Sequence, residues 1–480
     1  MSDAVAAAPP GSRGRRRSRA QARAPLAYGA AVTLVVAALL WLYSSRQWAL
    51  YQVPSWDLGI FTQLMRAYAE LRSPIVPIKG EGFMLLGDHF HPLLVVLAPF
   101  YALHPSGFTL LAVQAVLFGL GAGIVTVFAV RALGAWGALI GLASGLSYLI
   151  VEAQAAQFHE IALAVPLLAL SMGMLLERRV RAAVLWSLPL LGVKEDLGLT
   201  VAAIGFVALL RARDRGERAW AVAGMTLGVA GFVVVTQWVL PALNTGGVWD
   251  YADDSITSLI LSDPGAALTQ LTTGLDQKLG MIALPILVTC GLSLRSPLAL
   301  VALPTLAWRV ASDVEFHWGT AFHYGAVLAP IMYLALADGL LSLRASWRGR
   351  SPLPVVPVVS CATAVIALVM LPSFSLWSLT KPETWRDSDL AANARAAEAQ
   401  VADGERVETD ITLMAYLAPR AQVLWLGNAN SVPDVMVLNA ASGVFSQPPE
   451  DVAAYAAGKH PQIGWVNTWE QGSFGVARPE

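Results

Sequence analysis

The sequence predicts an α-helical polytopic membrane protein, with about eleven transmembrane helices and a small C-terminal extracytoplasmic α/β domain. Three observations carry this: too little charge for a soluble surface, a succession of apolar runs, and a polar tail with strand-like patterning. Hydrophobic residues make up 56% of the 480 residues and charged ones 14%, against roughly 25% charged in an average soluble protein. With 16 Trp and a mean hydropathy of +0.57, the bulk of the surface has to be solvated by lipid. That excludes a cytoplasmic globular enzyme. A net charge of −1 leaves no basic surplus for phosphate backbones, so nucleic acid is excluded as a partner. Cys290 and Cys361 each lie inside apolar runs, and no disulfide, zinc site or redox motif is expected of them.

Residues 1–24 are rich in Ala, Arg and Gly and are predicted to be a disordered cytoplasmic tail. Residues 25–372 form the transmembrane domain. Its apolar runs read as helices, because lipid offers the backbone no hydrogen-bond partner. They fall at 26–44, 107–130, 134–151, 160–177, 180–193, 197–211, 219–240, 279–293, 297–310, 324–342 and 353–372. The first run follows an Arg cluster, as in a secretory signal, but no small-residue cleavage site comes after it. It is read as a retained signal-anchor.

With the N-terminus inside, the internal segments hold Arg13–Arg23, Arg178–Arg181, Arg211–Arg218 and Arg344–Arg350. The external ones hold only scattered cations such as Arg46, Arg66, Arg72 and Lys79. The positive-inside rule favours that orientation. An odd number of spans then puts 373–480 outside, together with the long first loop, 45–106. In this last segment an Ala-rich helix is expected at 387–402 and strands at 405–409, 421–426 and 434–438. It has no Gly-rich phosphate loop, so no nucleotide is assigned to it.

Ionisable residues at span ends are the informative ones in such a chain. Nearly all fall on the predicted outer side: Asp57 and Asp88-His89-x-His91 in the first loop, His159-Glu160, Lys194-Glu195-Asp196, Arg309, His317 and His323. Asp57 precedes an amphipathic run, 58–71, and reads equally as a helix N-cap or a functional carboxylate. Asp88, His89 and His91 are spaced as ligands for a divalent cation such as Zn or Mn, and equally as interfacial polar residues. Lys194 is either neutralised within its own turn or meets a lipid-linked phosphate while a carboxylate orients it. Arg309 is either a second, bidentate phosphate contact or a snorkelling cation.

Trp56-Asp57-Leu58-Gly59-Ile60-Phe61-x-Gln63, Gly87-Asp88-His89-Phe90-x-Pro92, Phe158-His159-Glu160 and Val193-Lys194-Glu195-Asp196-Leu197-Gly198 together resemble the bacterial DUF2079 membrane proteins. That family is grouped with the GT-C glycosyltransferase superfamily. The resemblance implies a GT-C-like enzyme of the plasma membrane, with its site at the outer face and Asp57 as the catalytic carboxylate of the first external loop. Two departures stand out. The Asp-Glu pair of the protein mannosyltransferases is missing, and so is the Trp-Trp-Asp of the oligosaccharyltransferases, so the acceptor class carries over from neither.

The implied reaction takes a sugar from a polyprenyl-phosphate donor through an oxocarbenium-like transition state. It needs a base for the acceptor hydroxyl and cations for the departing phosphate. Lys194 and Arg309 are the candidate cations. Glu195, Asp196, His159, Glu160, His317 and His323 are the candidate donor phosphate or sugar contacts. Trp56, Trp308 and Trp318 suit sugar stacking or an interfacial belt. No tightly bound cofactor is expected, while a divalent cation at Asp57, Asp88, His89 and His91 is compatible with the pattern. Two other classes fit the composition: a transporter or flippase for a lipid-linked or anionic substrate, and a non-catalytic scaffold. A transporter more often places its charges near the bilayer midplane within inverted repeats. No internal repeat is seen here.

Overall fold

The computed structural model describes residues 12–54, 56–249, 256–346 and 354–480. Every apolar run becomes helical. Five stretches are long and apolar enough to cross a membrane: Arg23–Ala49, Gly107–Ala155, Arg215–Leu243, His323–Ser346 and Val355–Ser373. Four other runs give apolar helices of 10–17 residues, at Glu160–Leu176, Val180–Gly192, Leu197–Arg211 and Pro297–Ala311. At about 1.5 Å per residue these are shorter than a hydrocarbon core of about 30 Å. The first helix begins at Ser12, inside the stretch predicted to be disordered. Its Arg and Ala residues are good helix formers and simply extend the apolar helix; residues 1–11 of that tail lie outside the described residues.

Small residues let the backbones approach closely, as packing within lipid requires. The stretch Gly107–Ala155 is a hairpin. It reverses at Gly134, whose φ of +73° suits glycine. A Cβ on Gly137 or Gly141 would come within 2.3 Å of Ala129 or 1.8 Å of Thr126. At one end of the bundle, buried Arg211 pairs with Asp338 and donates to the Leu175 carbonyl. Ser296 donates to the same carboxylate at 2.6 Å. Asp338 drew no notice in the sequence reading, since a lone acid inside an apolar run does not announce its partner.

The C-terminal segment holds a five-stranded mixed sheet: β1 (Arg406–Thr409), β2 (Gln422–Trp425), β3 (Val435–Asn439), β4 (Trp465–Gln471) and β5 (Phe474–Pro479). The order is β2-β1-β3-β5-β4. β1 is parallel to both β2 and β3, and the last two strands form an antiparallel hairpin. The three expected strands are the parallel ones; β3 is buried throughout, while β1 and β2 bury their central residues and begin on Arg406 and Gln422. β4, mostly exposed between Trp465 and Gln471, and its partner β5 were not anticipated.

This sheet is fastened to the first loop. Gln63, buried in helix Trp56–Ala69, donates to the Val423 carbonyl at 2.8 Å and accepts from Ile78 N–H at 3.1 Å. Glu81 pairs with Arg406 at 2.6 Å and accepts from Ser431. Tyr416 stacks on Trp48 at 3.9 Å and on Tyr51 at 4.1 Å, where the first helix ends. The segment after the first helix and the segment after the last therefore pack against each other at one end of the bundle. A Gln63→Leu substitution strands two buried backbone groups, at roughly 1–3 kcal/mol each. The expected outcome is a lower unfolding temperature in detergent and faster proteolytic release of the C-terminal domain; unchanged proteolysis would show that the clamp lies elsewhere.

Candidate active site

Asp57 lies in the first turn of helix Trp56–Ala69, inside the helix rather than at its N-cap, and its charge suits the helix dipole there. Its Oδ2 lies 3.3 Å from His159 Nε2, and 54% of its side chain stays open to an adjoining cleft. His159 is fixed from behind. Its backbone N–H donates to Gln114 Oε1 at 3.0 Å, and its Nδ1 lies 3.2 Å from the Gln157 carbonyl. Gln114 also donates to the carbonyls of Gln157 and Ala153. Gln157 has a φ of +65°, rare for a residue with a Cβ. That turn sends Phe158 into the core and His159 toward Asp57. Crowding would push the Asp57 carboxyl up, but the hydrogen bond and charge of His159 outweigh it. With help from Lys194 they hold it below the usual carboxylate range.

The cleft has a volume of about 430 Å³ and is walled by Trp56, Asp57, His159, Phe316, Phe322 and Tyr324, with His323 among its lining residues. That is within the roughly 300–1,000 Å³ of small-molecule sites. His323 stacks on His159, with ring centroids 3.5 Å apart. His323 and Tyr324 also wall a second chamber of about 20 Å³, together with Lys194, Asp196, Thr305 and Trp308. Asp57 and Lys194 thus sit on opposite sides of one thin partition. Lys194 does not pair within its own turn. Its Nζ reaches Glu160, from another helix, at 2.8 Å.

Several candidates are placed elsewhere. Arg309 is buried, and its guanidinium donates to the carbonyls of His317 (2.8 Å) and Gly319 (2.7 Å). It shapes the 315–324 loop that closes the cleft rather than facing a ligand. His317 is turned to Ser312 Oγ at 2.6 Å and lines neither space. Trp318 packs under the Lys278 ammonium. The four residues proposed as cation ligands are not brought together. Asp88 pairs with Lys79 at 3.1 Å, His89 with Glu195 at 2.8 Å, Asp57 with His159, and His91 is buried beside Phe61, where burial pushes its ring down to about 4. Among the described residues no three His, Cys, Asp or Glu side chains form a ligand set. The partners of Asp57 and His89 come from distant segments, so local spacing could not reveal them. Phe316, Phe322, Tyr324 and Gln114 were not anticipated as parts of the site. Tyr324 follows a candidate His, and Gln114 is a polar residue inside an apolar run.

The family of predicted membrane proteins DUF2079 matches residues 46–465. The chain belongs to that family. The four motif segments that line or buttress the DUF2079 cleft, from Trp56 to Gly198, all fall within the match. No curated protein matches the sequence. Among solved structures, the chain is similar to ArnT from Cupriavidus metallidurans in its crystal structure bound to undecaprenyl phosphate. The two share 16% identity at a TM-score of 0.48, over 93% of this chain and 97% of the other.

The His89–Glu195 pair anchors the first loop to the Lys194–Asp196 turn, and Glu195 also accepts from Phe90 N–H at 3.0 Å. Burial would raise the Glu195 carboxyl, but the charge and hydrogen bond of His89 outweigh it and hold it at about 2. Burial would lower the His89 ring; Glu195 raises it above its ordinary 6.5. The carboxylate's contribution to stability is present above its unfolded value of 4.5 and lost as pH falls toward 2. The imidazole's is full below 6.5 and lost as pH rises through the elevated value. Thermal unfolding should therefore show a His89-dependent gain greatest between pH 4.5 and 6.5. A His89→Gln variant should flatten that region; an unchanged profile would remove the pair's role.

Proposed function

We propose that this protein is a GT-C-type glycosyltransferase that moves a sugar from a polyprenyl-phosphate donor to an acceptor hydroxyl at the outer face of the membrane. One observation carries the reading. An ionised, half-exposed carboxylate, Asp57, faces a monosaccharide-sized cleft, while the Lys194 ammonium lies across the His323–Tyr324 partition. The pairing matches what the transfer demands. Asp57 accepts the proton of the acceptor hydroxyl as its oxygen attacks the anomeric carbon. The anomeric C–O bond breaks, and its electron pair leaves on the phosphate, whose added charge Lys194 stabilises. His159 orients Asp57 and keeps it ionised. Trp56, Phe322 and Tyr324 offer aromatic faces to the apolar side of a pyranose. The Arg-rich connections opposite the cleft favour an outward-facing site, and long apolar helices beside it suit a substrate that arrives within the bilayer.

The test is transfer from a panel of radiolabelled polyprenyl-phosphate sugars by protein purified in lipid. Asp57→Asn should cost roughly 100- to 10,000-fold in turnover, the span of general-base contributions, with donor binding retained. Folded protein that consumes no donor in the panel would overturn the transferase reading in favour of a transporter or scaffold.

A further inference from the structure

The chamber behind the partition contains more unsatisfied polarity than a structural void would keep. Three residues that line it each carry a buried polar atom with no hydrogen-bond partner among the described residues: Asp196 Oδ1, Trp308 Nε1 and His323 Nδ1. Orphaned groups of this kind cost about 1–3 kcal/mol each in a folded protein, and the three residues that carry them line one space. The space of about 20 Å³ holds one oxygen-sized group. Lys194 on the same wall favours that oxygen being anionic.

The other acids nearby are committed. Glu195 is taken by His89 and Phe90 N–H, and Glu160 by Lys194. Asp196 has no such tie. It stands just before helix Leu197–Arg211, lines the chamber, makes no capping bond and leaves Oδ1 without a hydrogen-bond partner.

We infer that Asp196 is a second catalytic residue, the acid that delivers a proton to the departing phosphate oxygen seated beside Lys194. The assignment rests on the transferase reading above and completes its proton balance. As the anomeric C–O bond breaks, its electron pair goes to the phosphate oxygen, and the Asp196 O–H proton follows onto that phosphate. The acceptor's proton goes to Asp57, and solvent exchange resets both carboxyls. The environments agree with these roles. Burial, above all, pushes Asp196 up to about 6. Glu195 and Glu160 add to this, while Lys194 and His89 oppose it, and His323 faces the same space. Asp57 is held low instead. Two carboxyls pushed apart in this way form an acid–base pair.

Activity needs Asp57 ionised and Asp196 protonated. kcat/KM should therefore rise with pH at the acid end and fall as pH rises through about 6. The donor is a phosphodiester with one permanent charge, so it does not produce the upper limb itself.

The experiment compares wild type, Asp196→Asn and Asp196→Glu in lipid, on a polyprenyl-phosphate sugar that wild type accepts. The expected result is a kcat loss of roughly 100- to 10,000-fold for Asp196→Asn, with donor KM little changed and the alkaline limb gone. Asp196→Glu should recover part of the rate and keep a limb at a shifted pH. It also guards against misfolding of the first variant. A loss confined to KM, or an alkaline limb that survives in Asp196→Asn, would overturn the assignment and leave a water-filled chamber, with the transferase reading intact if Asp57→Asn remains inactive. Wild type that transfers from no donor would overturn both.

Discussion

The ion pair between Lys194 and Glu160, at 2.8 Å, is the constraint on which the site depends. An ammonium buried beside apolar helices is tolerated only against a carboxylate, and removing either partner leaves a charge the surroundings cannot solvate. The pair joins the start of helix Glu160–Leu176 to the turn before Leu197–Arg211. It thereby fixes the neighbours of both residues in one place. His159 is held toward Asp57, Glu195 toward His89, and Asp196 on the wall of the chamber. Three paired charges drawn from four separate segments thus produce one face.

A second layer of constraint surrounds that pair. The C-terminal sheet grips helix Trp56–Ala69 through Gln63, and Gly59 packs so closely on Met414 that a Cβ there would lie 2.5 Å from its side chain. Asp57 sits at the start of that same helix. The opposite wall of the cleft is shaped by Arg309, which holds two carbonyls of the 315–324 loop, and by Phe322, at φ +65° and ψ −176°. That region is close to glycine-only and costs on the order of 1–3 kcal/mol. Together with Gln157, it places strained backbone on both sides of the cleft. Such strain persists only where the surrounding packing over-determines it.

The proposed split between acid and base follows from position alone. Asp57 and Asp196 are the same residue type. One faces an open cleft with a histidine on its oxygen. The other lines the second chamber across the partition, with two other carboxylates near it. Solvation and neighbours, rather than side-chain chemistry, assign the proton to one and withhold it from the other.

Local rules made much of this protein legible in the sequence. Apolar run length and the lack of charge required membrane-embedded helices. The three parallel strands declared themselves as short Val-containing stretches between polar segments. Asp57, His159 and Lys194 were conspicuous because charge is scarce in such a chain. What only the tertiary structure decided is which of these groups meet. Lys194 lay next to two acids in sequence yet pairs with Glu160. Arg309 read as a phosphate contact or a snorkelling cation, and it holds a loop instead. Asp88 and the neighbouring histidines, spaced like metal ligands, each turn to a different partner. A buried charge takes whichever counter-charge the fold brings within about 4 Å, and the packing of distant helices sets that distance.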